Sequence, residues 1–195
     1  MSSLNSGREK ETQHMMRWIL ENVFVLSANF HDGAVVANYP WDNYARNGAQ
    51  WRTNGEHFWV SPRKILSSFL IFQHLIPDHE EFLRMAKTYA SNHDNMASAR
   101  HCGDNFNNGV TNGAQWYPIT GGMQDFNYLY GGAMEITVEV SCCKFPDKAK
   151  LFDEWFYNDM AFLGYLEQAQ TGIKGGNLAG HLRLLGYSEL LSGEK

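Results

Sequence analysis

The spacing of apolar and polar positions changes several times along the chain, and each change predicts an element. Residues 9–21 repeat at helical spacing, with Met15, Trp18 and Ile19 on one stripe and Glu11, Arg17 and Glu21 mostly off it; this predicts an amphipathic helix. Asn22 breaks the pattern. The run Val23–Asn29 (VFVLSAN) is almost continuously apolar, as a strand buried on both faces reads. His31-Asp32-Gly33 predicts a loop, and Ala34–Tyr39 predicts a second short strand closed by Pro40. Residues 41–61 carry no clean period. The apolar run 65–76 is too short to cross a bilayer and reads as a buried helix or strand.

Further along, Asp78 with Glu81 three residues later predicts a capped helix faced by Phe82, Met85, Ala86 and Tyr89 and ending near His93. An Asn- and Gly-rich loop over 94–115 follows. Within 129–141, Ile136, Val138 and Val140 alternate with Glu135, Thr137 and Glu139, which predicts a strand. Asp147 is placed to cap a long helix to about Gln170, faced by Leu151, Trp155, Phe162 and Leu166. The Gly-rich end predicts a linker and a frayed tail. Buried strands with interspersed helices predict an α/β sandwich.

Composition narrows the class. The 195 residues, 44% hydrophobic, are enough for one domain with a sizeable core. A formal charge of −5 supplies no electrostatic footprint for nucleic acid. The polar start MSSLNSGREKETQ has no apolar core of a signal peptide, and no run of about 18 apolar residues predicts a membrane span. Three cysteines without a C-x-x-C pattern allow one disulfide plus a free thiol, or three buried thiols.

Four residues stand out for chemistry. His31 follows the end of a buried strand, where α/β folds place ligands. Glu139 lies on a strand beside a Cys-Cys pair, and Tyr117 and Gln124 flank a Gly-Gly turn. Taken singly, each has an ordinary explanation: a loop histidine, an exposed carboxylate face shared with Glu135, turn residues. No local arrangement makes a catalytic triad or a phosphate loop.

Taken together and in order, FVLSANFHDGAVVANYPWDN, NGVTNGAQWYPITGGMQDFNY and EITVEVSCCKFP resemble the regulatory (N/E-type) zinc metallocarboxypeptidases, the carboxypeptidase M and N branch nearest. The resemblance covers roughly residues 11–50 and 77–175. It implies a partial α/β/α metallocarboxypeptidase sandwich with a mixed sheet. It also implies a Zn2+ cofactor and peptides with a C-terminal Lys or Arg as substrates. By resemblance, His31 is a zinc ligand, Glu139 the general base and Tyr117 the tyrosine that closes over the terminal residue. Asp42 and Gln124 are the pair that selects the basic side chain. Cys102 and Cys142 resemble a family disulfide with Cys143 left free, which implies the secretory pathway or extracellular space.

The chain also departs from that pattern. None of its eight histidines has Glu three residues later, so the family's His-x-x-Glu zinc pair is absent, as is the Asn-Arg clamp for the substrate carboxylate. Asp32 stands where the family has Gly. Residues 51–76 do not align and read as an insert, and 176–195 do not resemble the transthyretin-like domain that follows in the family. The expectation is a catalytic domain, residues 1–175, that lacks its N-terminal half. It holds one of three protein ligands for zinc and is inactive alone. The alternative is a non-catalytic, truncated isoform that binds peptides or a partner.

Overall fold

The structure is a computed structural model that describes residues 7–43, 76–98 and 100–171, and the backbone alone of 52–53, 56–57, 173–176 and 182–185. The apolar run 65–75 and most of the unaligned stretch 51–76 lie outside the described residues. Four strands form a mixed sheet: β1 (Leu26–His31), β2 (Ala34–Tyr39), β3 (Val110–Asn112) and β4 (Met134–Ser141), in the order β1-β4-β2-β3. β4 runs parallel to β1 and antiparallel to β2, while β2 and β3 are parallel. Together with the helices described below, this is a mixed α/β fold, consistent with part of a metallocarboxypeptidase sandwich.

β2 shows why the sheet has two different sides. All six of its residues are buried. Val35, Ala37 and Tyr39 join Ile136 and Val138 of β4 in the main core, while Ala34 and Val36 pack with Phe106 in a smaller cluster. The main core is closed by two helices, α2 (His79–Asn92) and α5 (Leu151–Glu167). α2 contributes Phe82, Met85, Ala86, Tyr89 and Ala90, all nearly inaccessible. The buried Tyr89 hydroxyl donates to Asn158 Oδ1 at 2.7 Å, which joins the two helices without leaving a polar group unpaired. Tyr165 of α5 donates to the backbone carbonyl of Ser27 at 2.7 Å and so pins β1.

Several elements differ from the sequence pattern. The first helix, α1 (Lys10–Glu21), buries Met16 and Ile19, whereas Met15 and Trp18 are substantially exposed. The helix lies on the surface, with Ile19 against Gly131 and Trp18 against Phe24. β1 is half-buried rather than buried on both faces, and Val23 is outside it. It lies at the end of the sheet order, with β4 as its only strand partner among the described residues. His31 is the last residue of that strand rather than a loop residue. Asp78 makes no cap hydrogen bond; its carboxylate takes the Tyr128 hydroxyl at 2.6 Å, and Glu81 pairs with Arg84 at 2.8 Å instead.

The Asn-rich loop is more ordered than a plain loop. It contains a short ladder between 100–101 and 104–105, then β3 and a short helix, α3 (Gly113–Trp116). The long helix behaves partly as expected. Asp147 caps it by accepting from Ala149 N–H at 2.9 Å, but into a 3-10 turn, Lys148–Lys150, that precedes α5. Its buried face is Asn158, Ala161 and Tyr165, while Leu151, Trp155 and Leu166 are more than half exposed. The Gly-rich end is not wholly irregular, since 173–176 and 182–185 pair as an antiparallel ladder. No helix among the described residues is long and apolar enough to cross a membrane.

Candidate active site

The pairing of β1 with β4 sets the first contact of the site. In parallel register His31 lies opposite Glu139, with Val36 opposite Glu139 on the other side. The His31 Nδ1 stands 3.6 Å from Glu139 Oε1. The imidazole is 60% exposed and the carboxylate only 9%, so an open nitrogen donor stands beside a sheltered base. Burial holds the Glu139 carboxyl above its ordinary range. His31 and Lys144 pull it back down, while Asp32 pushes it further up. A carboxylate with raised proton affinity is the state a general base needs near neutral pH.

The second part of the site is a polar recess around Asp42, which is 4% exposed. Its Oδ1 accepts from Asn38 Nδ2 at 3.0 Å and from Gln124 Nε2 at 2.9 Å. The Gln124 comes from a short helix, α4 (Met123–Phe126), that begins after the Gly121-Gly122 turn. Because both amides turn their N–H groups to Asp42, Asn38 Oδ1 and Gln124 Oε1 are left buried with no partner among the described residues. The surroundings of Asp42 are therefore rich in acceptors, two of them unpaired. Gly113 makes room for it, since a β-carbon there would sit 1.9 Å from Asp42 Oδ1. Behind it, Asp125 accepts the backbone N–H groups of Asp42 at 3.0 Å and Asn43 at 3.2 Å.

Tyr117 follows α3 at the rim and is 53% exposed. Its helix is anchored by Asn112, whose Oδ1 accepts from Gln115 N–H at 3.2 Å while its Nδ2 donates to the Pro40 carbonyl at 2.8 Å. The Tyr117 phenol is pushed up by burial first, then by the negative charges of Glu139 and Asp42. His31 is thus brought against Glu139, and Gln124 against Asp42.

Sequence reasoning missed the buried support for these groups. Glu135 is not on an exposed face; it is 1% accessible and accepts from Ser27, from Asn127 and from Asn29 at 2.6 Å. Asn38 and Asp125 were likewise not singled out. A signal existed at Asn38, which interrupts an otherwise apolar run, since a buried amide inside a strand needs polar partners.

Cys102 and Cys142 form a disulfide, and Cys143 is free and exposed. The bridge ties the 100–105 ladder to the residue just past β4. As a metal site the described residues fall short. His31 fits as one donor, but no group of three or more His, Cys, Asp or Glu among the described residues is placed to hold an ion, and a catalytic zinc takes about three protein ligands.

This mixed sheet, with an imidazole and a carboxylate at adjacent strand ends beside an acidic recess, is accompanied by a clear family match. The zinc carboxypeptidase family model matches residues 2–159, and the chain belongs to that family of metalloprotease hydrolases. It is 45% identical to the carboxypeptidase N catalytic chain of Rattus norvegicus over 86% of its length, and 40% identical to carboxypeptidase M of Mus musculus over 88%. It is 42% identical to carboxypeptidase D of Drosophila melanogaster over 87%. The chain spans about a third of the first two relatives, 33% and 35%, and 11% of the third.

Proposed function

We propose that this chain supplies the base and the substrate-recognition half of a carboxypeptidase that removes C-terminal Lys or Arg from peptides, and that it is inactive by itself. The observation that carries this reading is the recess of acceptors, Asp42 with the unpaired Gln124 Oε1 and Asn38 Oδ1, next to the His31–Glu139 pair. A guanidinium or ammonium group carries only donors and matches such a recess, whereas a neutral side chain would leave it unsatisfied. Tyr117 closes over the terminal residue from the rim. Glu139 accepts a proton from the attacking water and returns it to the leaving amine.

Zinc, when bound, acidifies water and polarises the scissile carbonyl. His31 would be one of its ligands; with no His-x-x-Glu pair in the chain, no hydrolytic step is complete here. The disulfide favours a secretory or extracellular setting. Titration calorimetry with an Arg-terminated peptide and its Leu-terminated counterpart tests recognition. The expected result is binding of the first, lost in Asp42→Ala, with no arginine released at any zinc concentration. Equal binding of both peptides would overturn the specificity, and stoichiometric zinc with arginine release would overturn the inactivity.

The lack of a three-ligand group among the described residues favours a second reading, a non-catalytic peptide-binding module. Affinity for the Arg-terminated peptide that is unchanged by zinc supports it; affinity that requires zinc excludes it.

A further inference from the structure

Asp42 does not stand alone in its recess. The Asp125 carboxylate, 8% exposed, lies directly behind it and spends both oxygens on the backbone N–H groups of Asp42 and Asn43. Among the described residues, the side chains that hydrogen-bond this pair are neutral amides, Asn38 and Gln124, both on Asp42. Neither carboxylate forms a salt bridge with a lysine or arginine among the described residues. A buried pair of like charges without a cation cannot hold two full charges cheaply.

We propose that Asp125 is the second carboxylate of the basic-residue recess: it fixes Asp42 through the backbone and shares the charge of the pair, so that a C-terminal Lys or Arg binds with release of a proton to solvent. Asp125 is a positioning residue, since it reaches the ligand only through Asp42. The inference rests on the recognition proposed above and assigns a new participant to it.

The balance is simple. In the empty recess the pair retains a proton part of the time; an arriving guanidinium or ammonium supplies the missing positive charge, and the proton leaves. Burial first, then the charge of Asp42, pushes the Asp125 carboxyl up to about 7, against the lowering pull of its backbone hydrogen bonds. Burial likewise raises Asp42, which Asn38 and His31 draw back. Among the described residues, the other titratable groups within reach of Asp42 are His31 at the end of β1, Glu135 on β4 and Tyr117 beyond α3.

The test is calorimetry of an Arg-terminated peptide against the whole chain, at pH 6, 7 and 8, in buffers of different ionisation enthalpy. A carboxyl that titrates near 7 when free and about two units lower when bound gives an affinity rise of about tenfold from pH 6 to 8, with about half a proton released at pH 7. Asp125→Asn is expected to bind more weakly, with flat pH dependence and no buffer effect, whereas His31→Gln keeps the proton release. A merely structural role for Asp125 would weaken binding without removing the proton. Binding by the unaltered chain that ignores pH and buffer overturns the inference and leaves the recognition reading intact, and this measurement does not depend on any variant folding. Proton release that survives Asp125→Asn, or vanishes in His31→Gln, also overturns it. No binding at any pH overturns both.

Discussion

Glu135 accounts for much of the local geometry at the scale of single residues. Its carboxylate gathers Ser27 and Asn29 from β1 and Asn127 from the turn after α4, so it ties the strand carrying His31 to the strand carrying Glu139. Burial raises its carboxyl, and the three donors oppose that rise. Removing it leaves one buried polar group, Asn127, and two half-buried ones, Ser27 and Asn29, unpaired; a buried one costs about 1–3 kcal/mol and the half-buried ones less. Glu135→Ala is therefore expected to lower unfolding free energy by about 3 kcal/mol in urea titration, with Glu135→Gln losing less because the amide keeps one acceptor. A change within about 0.5 kcal/mol for Glu135→Ala would refute the clamp. Little of this was legible beforehand. Alternation placed Glu135 and Glu139 on one face correctly, yet period alone does not tell which face is wet. Only the three polar side chains that come to meet Glu135 from distant segments settle that.

At the scale of elements, β2 was the clearest reading and α5 the poorest. β2 is a short apolar run closed by Pro40, and its span came out as expected. α5 is apolar around most of its circumference, so no single stripe marks the inner face; Asn158, Phe162 and Tyr165 meet Tyr89 of α2, and Gly164 lies by Asn92. The consequence is an outer surface bearing Phe152, Trp155, Phe156, Met160 and Leu163, each more than half exposed. Contiguous apolar area of this kind promotes association. Because these side chains are not in the core, Phe156→Lys with Leu163→Lys is expected to shift unfolding free energy by less than about 1 kcal/mol. The same pair should reduce binding of a hydrophobic dye and raise the solubility limit. A large loss of stability would place this face inside the fold.

At the scale of the whole molecule, the sheet order brings His31 and Glu139 together from distant parts of the chain. Periodicity carries no information about such pairing, and the sequence reading names the two residues separately without pairing them. The disulfide was implied by the resemblance to a known family, since cysteine count alone left three free thiols open. It closes a separation of 40 residues. In the chain-entropy account that constraint stabilises by about 3–4 kcal/mol. Cys102→Ser with Cys142→Ser is expected to lose that amount in urea titration, and reductant should destabilise the unaltered chain but not the double variant. Equal sensitivity of both to reductant would refute the assignment.

The contact between Gly113 and Asp42 has a consequence for how this recess can evolve. With the carboxylate in place, position 113 admits no side chain, because even a methyl group would overlap Oδ1 at 1.9 Å. Shortening residue 42 alone does not free the position, because the same β-carbon would still lie 2.9 Å from Asn38 Oδ1 and 3.0 Å from the Cα of residue 42. Glycine at 113 is therefore demanded by the backbone of 42 and by Asn38 as well as by the carboxylate. A lineage drifting from basic to neutral substrates can change residue 42 while position 113 stays glycine.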